Sequence, residues 1–118
     1  MRLYHGTDMT SLRNFLGGSG LNADVARAAH INGAPGFYMA TVASDAEYFA
    51  ARRIGGGSVV IVDIDDDVVE ELRSLGAVHN EIPGIPPPYF AGDEIYLPEG
   101  LFATFNARMR EKRIRVSF

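Results

Sequence analysis

The chain of 118 residues contains no cysteine, which removes disulfides, thiolate nucleophiles and thiolate-bound metals from its chemistry. Any reaction it performs must use oxygen and nitrogen groups. Positive charge is not in excess either: the formal net charge is -4, so a bulk electrostatic case for nucleic-acid binding is missing. No apolar run approaches the ~20 residues that span a bilayer, and no targeting pattern opens the chain. The reading is a soluble chain with no membrane partner. His5, His30 and His79 lack metal-ligand spacing. The acidic run from Asp63 to Asp67 lacks the alternation and the closing glutamate of a calcium loop, and helix capping accounts for it. The glycine-rich stretches at 17–20 and 55–57 are not followed by the Lys-Ser or Lys-Thr of a phosphate-binding loop. Internal repeats and domain boundaries are absent as well.

What is present is the composition of one globular domain, with 47% apolar and 22% charged residues, so any function is built around a single cleft. Residues Arg2 to Thr7 read as a strand, followed by a helix capped by Asp8 with Leu12, Phe15 and Leu16 on one face and Gly17 beyond its end. Residues 22–30 read as a second helix and Gly36 to Thr41 as a second strand. Ser44 and Glu47 have the spacing of a capping box, which predicts a helix running to Arg53. The β-branched run from Ser58 to Ile64 suits a central strand buried on both faces. A helix follows over 65–75, with Val68, Val69, Leu72 and Leu75 turned inward and Gly76 as terminator. Pro83, Pro86, Pro87 and Pro88 argue against regular structure between Ala77 and Gly92. The last elements are a strand over 94–97, a helix over 98–109 and a strand over 114–118. A doubly wound parallel sheet would need a glycine-rich turn after the first strand, and Thr7-Asp8-Met9-Thr10 does not supply one. The expected fold is α+β, with short, split sheets.

Three segments carry candidate chemistry, and each has a plain structural alternative. His5 offers a donor and an acceptor, and Gly6 lets a ligand approach the backbone; the alternative is a strand end preceding a turn. Tyr38 lies on a strand and Tyr48 on the capped helix, nine residues between them. Two such rings can sandwich a flat heterocycle, or they are half-buried tyrosines with their hydroxyls at the surface. Strand alternation puts Ile95 and Leu97 on one face and Glu94 with Tyr96 on the other. That second face is either solvent or a cleft. The run from Arg108 to Arg115 holds five of the chain's 11 positive charges, readable as a solvated helix end or as a site for an anionic target such as RNA.

Tyr-His-Gly-Thr near the start, Gly-Phe-Tyr-Met-Ala-Thr leading into a helix with Ala-Glu-Tyr-Phe-Ala, and a late Glu-Ile-Tyr-Leu-Pro strand occur here in the order found in ADP-ribosyltransferases. The chain resembles the H-Y-E branch of that fold, to which diphtheria toxin and the poly-ADP-ribose polymerases belong, and within it small bacterial toxin domains. The resemblance covers Tyr4 to Pro98. It implies split β-sheets flanked by short helices around an NAD cleft, with NAD as co-substrate and no metal. His5, Gly6 and Thr7 would hold the ribose and the carboxamide of NAD, Tyr38 and Tyr48 would bracket the nicotinamide ring, and Glu94 would be catalytic.

The implied activity is mono-ADP-ribosylation of a macromolecule, protein or RNA, by a toxin or effector domain. Such a domain would act in the cytoplasm of a target cell, be delivered as part of a longer secreted protein, and be matched by an immunity or antitoxin protein. The loop from Ala77 to Gly92 is the expected place for acceptor recognition. An NAD glycohydrolase, with water as acceptor, needs the same site. A non-catalytic NAD or ADP-ribose binding module, or a protein-interaction domain, is the alternative of a different class.

Overall fold

Six short strands build the sheet. They are β1 (Arg2–Asp8), β2 (Gly36–Ala40), β3 (Gly57–Ile64), β4 (Val78–Glu81), β5 (Asp93–Pro98) and β6 (Ile114–Ser117), accompanied by the helices α1 (Ala43–Ala50), α2 (Asp66–Leu75) and α3 (Phe102–Arg110). The structure is a computed structural model, and it describes residues 1–8, 20–22, 36–52, 57–82 and 90–117. The helix expected after Asp8, nearly all of the one expected over 22–30, His30 and the proline cluster at 83–88 lie outside the described residues.

Every strand pairing is antiparallel, in the order β4-β5-β2-β1-β3-β6. The domain is therefore α+β. The expected split into separate sheets is replaced by one ladder with a weak centre. Arg2 to Asp8 pair throughout with Asp63 to Gly57, and Gly36 to Ala40 with Pro98 to Glu94, whereas Tyr4 opposite Ala40 is the registered pair between β1 and β2. This seam separates a β4-β5-β2 half from a β1-β3-β6 half.

The expectation of a central β3 buried on both faces is also corrected: β1 and β2 hold the middle, and β3 sits next to the edge strand β6. In β3 only Val60, Val62 and Ile64 are buried, while Val59, Ile61 and Asp63 are partly exposed. Its apolar run therefore serves one core face. That face joins Leu3, Phe37, Met39, Ile95 and Leu97 of the other strands to Val68 and Leu72 of α2 and to Phe102 and Phe105 of α3 in one core cluster. Val69 packs against the cluster from its edge, and Leu75, expected inside, is exposed. The stretch expected to be irregular contains β4, whose residues pair from Val78 opposite Tyr96 to Glu81 opposite Asp93. Its register against β5 supplies the order that local sequence does not.

Helix α1 occupies the opposite face, and two glycines put it there. A Cβ on Gly6 would meet the Ala46 carbonyl oxygen and lie 2.7 Å from the Ala50 nitrogen, and one on Gly57 would lie 2.7 Å from the Ala50 carbonyl oxygen. Neighbouring strands thus leave a shallow floor on which the helix backbone rests directly. The expected capping box does not form: α1 begins at Ala43, its N-cap Val42 makes no side-chain cap, and Ser44 and Glu47 are exposed. The helix ends at Ala50, short of the expected Arg53.

The acidic run is not a set of helix caps, since Asp65 makes no side-chain cap bond to α2. Its carboxylates take up cations instead. Asp63 pairs with Arg2, Asp65 with Arg115, Asp66 with the N-terminal ammonium and Asp67 with Arg113. Arg108 reaches Glu71 through Nε and Nη2, both at 2.8 Å, and also pairs with Glu111. The guanidinium of Arg2 holds Asp63 below its ordinary carboxylate value, and that of Arg108 does the same to Glu71. Three arginines of the C-terminal run are therefore committed to the chain's own acids. Among the described residues no helix is long and apolar enough to cross a membrane.

The glycine floor carries a direct test. Gly6→Ala should destabilise the domain by about 1–3 kcal/mol, the usual cost of forcing extra volume into a packed contact. Gly100→Ala, where an added Cβ meets nothing within 4 Å, should stay within about 0.5 kcal/mol of wild type in the same urea titration.

Candidate functional site

The face that carries α1 also carries the candidate chemistry of β2 and β5. Register places Tyr38 opposite Tyr96 and Ala40 opposite Glu94, so the carboxylate and both phenols share one side of the sheet. The alternation expected of Glu94 and Tyr96 against Ile95 and Leu97 is observed. The face beneath Glu94 is not solvent.

Glu94 is 6% exposed, and its carboxylate has no hydrogen-bond partner among the described residues. Burial raises its pKa above the ordinary 4.5, because a low-dielectric surrounding disfavours the charged form. Buried polar groups are nearly always paired, so an orphaned carboxylate needs an explanation beyond packing.

Tyr38 and Tyr96 stand with ring centroids 4.9 Å apart and planes inclined by 35°. Both phenols have raised pKa values, in each case chiefly from burial; Tyr96 and Glu94 add to the effect at Tyr38, and Glu99 adds to it at Tyr96. Tyr96 lies over a notch in β2: a Cβ on Gly36 would run into its ring, lying 3.1 Å from Cζ. The two rings and the carboxyl lie on one face of adjacent strands, the rings at one end and Glu94 at the other. A planar cationic ring has complementary charge for both ends.

His5 belongs to the seam. Its side chain lies on the core face of β1, with its ring centroid 4.1 Å from that of Phe37, which in turn meets Phe105 edge-on at 5.8 Å. Its Nδ1 lies 2.7 Å from the Tyr38 carbonyl oxygen. A carbonyl only accepts, so Nδ1 carries the proton, and in the uncharged ring Nε2 is then an acceptor. The imidazole ties β1 to β2 beyond the point where the ladder stops. Thr7 is buried two residues along on the same face as His5. Gly6 is buried beneath α1, so its missing side chain already has a packing reason.

Tyr48, on α1, is half-buried. Its ring meets Phe49 at 5.4 Å and Phe90 at 5.2 Å, both edge-on, and the Arg52 guanidinium lies 3.3 Å over its face. Phe49 and Phe90 stack at 5.4 Å. Among the described residues, the ring brought beside Tyr38 is that of Tyr96.

Sequence reading also passed over Thr41 and Asp45. Asp45 is 2% exposed; its two carboxylate oxygens accept from the Ala91 nitrogen at 2.9 Å and from the Gly92 nitrogen at 2.8 Å. Thr41 Oγ1 accepts from the Asp93 nitrogen at 2.9 Å. Asp45 was hidden inside the pattern that suggested a capping box, and its partners lie 46 and 47 residues away.

Comparison with known proteins gives no matching family model, no match among curated proteins and none among solved structures.

Glu94 supplies a stability test with a definite sign. Its folded pKa is raised, so the fold favours the protonated form. The folded chain therefore loses stability as pH rises from below 4.5 through the folded value, above which the buried charge is a cost. Glu94→Gln removes that charge and should raise stability at pH 7 by roughly 1 kcal/mol, a few degrees in thermal midpoint. The gain should vanish in melts recorded below about pH 4, where both forms are neutral. A variant less stable than wild type at pH 7 would show that the carboxylate is well paired.

Proposed function

We propose that this domain is an NAD-dependent mono-ADP-ribosyltransferase of the H-Y-E type, a toxin or effector domain that cleaves the nicotinamide glycosidic bond and passes ADP-ribose to a macromolecule. The observation that carries the reading is Glu94: a carboxylate 6% exposed and without a hydrogen-bond partner among the described residues, on the face where Tyr38 and Tyr96 meet.

The chemistry suits these groups. When the bond between nicotinamide N1 and ribose C1′ breaks, its electron pair leaves with nicotinamide, which becomes neutral, and positive charge develops on the sugar. A dry carboxylate opposes that charge far more strongly than one in water. The acceptor then bonds to C1′ and gives up its proton. No strong acid is needed, since the leaving group departs without protonation. His5 lies on the core face, opposite the Glu94 and Tyr38 side chains, and its bond from Nδ1 to the Tyr38 carbonyl holds the β2 backbone beside Tyr38, whereas the resemblance gives it a ribose contact. Tyr38 with Tyr96 offers the aromatic surface for the nicotinamide ring, a task the resemblance gives to Tyr38 and Tyr48.

The acceptor is a protein in this reading. Arg108, Arg113 and Arg115 are paired with Glu71, Glu111, Asp67 and Asp65, which removes the main positive patch that an RNA acceptor would use. A cell that makes such a domain would need an immunity protein against it.

Wild type and Glu94→Ala should be incubated with labelled NAD and whole-cell extract, then digested separately with protease and nuclease. Wild type should label protease-sensitive material, and Glu94→Ala should lose about 10²-fold or more of the rate. Equal labelling by both would remove Glu94 from the chemistry. Nuclease-sensitive label would select an RNA acceptor, and nicotinamide release without labelled macromolecule would select a glycohydrolase. Neither label nor nicotinamide release would leave a non-catalytic binding module.

A further inference from the structure

Three consecutive backbone amides immediately before Glu94 are held by two side chains, Thr41 from the link between β2 and α1 and Asp45 from the first turn of α1. Ala91 and Gly92 donate to the two oxygens of Asp45, and Asp93 donates to Thr41 Oγ1, while the Thr41 nitrogen donates back to the Asp93 carbonyl at 2.9 Å. The chain fits closely there, since a Cβ on Gly92 would lie 2.6 Å from Val42 Cγ2.

An Asp that is 2% exposed and uses both oxygens on backbone amides is well satisfied, because charge-assisted bonds to N–H groups replace its hydration. Glu94 is the opposite case, a nearly buried carboxylate with nothing to accept from among the described residues. Left to itself, such a group would recover hydration by a small shift of its strand toward water. The segment that would have to shift is the one Asp45 and Thr41 grip.

We infer that Asp45, assisted by Thr41, is a positioning residue that holds β5 so that the Glu94 carboxylate stays dry and unpaired on the Tyr38 and Tyr96 face. The inference rests on the reading of Glu94 as the working carboxylate. Asp45 touches neither ligand nor reacting atoms and acts through the backbone of residues 91–93. Around Glu94 stand Tyr38 on β2, Asp93 and Tyr96 on its own strand, and Ala40 and Asn80 opposite it. None of these offers it a positive charge.

The test follows the Glu94 carboxyl by carbon-13 NMR titration in folded Asp45→Asn, Thr41→Val and Thr41→Ser, with NAD turnover measured beside it. Asp45→Asn presents an amide donor to one of the two N–H groups, and Thr41→Val removes the third acceptor. In both, the Glu94 midpoint should fall toward the ordinary glutamate value, and turnover should drop by roughly 10- to 100-fold with KM for NAD little changed, as expected when a reacting group is misplaced by less than a bond length. Thr41→Ser should restore the wild-type midpoint and rate. An unchanged midpoint in the folded variants would overturn the inference and leave Asp45 with a purely structural role. If Asp45→Asn does not fold, Thr41→Val against Thr41→Ser decides the matter. If wild type turns over no NAD, the functional reading fails, while the titration still decides whether the grip sets the environment of Glu94.

Discussion

The backbone contact of α1 with β1 and β3 is the constraint on which the rest of the site depends. Because Gly6 and Gly57 present no side chain, the Ala46 and Ala50 end of the helix lies directly on the sheet. A helix seated this closely brings its first turn to the level of β5, where Asp45 meets Ala91 and Gly92. The same helix turns Tyr48 and Phe49 toward Phe90. Backbone proximity on one side of the sheet thus fixes polar geometry on the other side of the seam.

The seam itself explains why His5 has two descriptions that are both correct. Its ring packs on Phe37 and through it on the α3 aromatic Phe105, which is the behaviour of a core residue. Its Nδ1 also bonds the Tyr38 carbonyl across strands that share one registered pair, which is a connector's role. A histidine suits the position because one nitrogen satisfies a backbone acceptor that the ladder leaves open, while the other keeps the opposite hydrogen-bonding character. Ladder continuity between β1 and β2 would give that carbonyl a backbone partner.

Sequence made the strands and α2 legible because each carries a local period or a terminator: alternation in β5, the β-branched run of β3, and Gly76 with φ 126° ending α2. It could not show that β3 lies beside an edge strand, since burial on one face depends on which strands flank it. Nor could it show β4, a strand in which all four residues are exposed and which is ordered only by pairing with β5. Of the site, Glu94 was legible through alternation, and Tyr38 and His5 through a resemblance in motif order. Asp45 was not legible, because its role depends on amides more than 40 residues away, and a polar residue near a helix start already has a local explanation. The acidic run misled for the same reason: local rules read it as capping, whereas its partners are Arg2, Arg113, Arg115 and the N-terminal ammonium.

The three N–H groups of residues 91–93 are bonded to side-chain oxygens, two of which belong to a residue 2% exposed. In hydrogen exchange such amides should be protected together with the core, because opening them requires α1 and β5 to separate. The chain thus reaches Glu94 through Ala91 and Gly92, which precede β5 yet have their N–H groups bonded as firmly as those of a ladder.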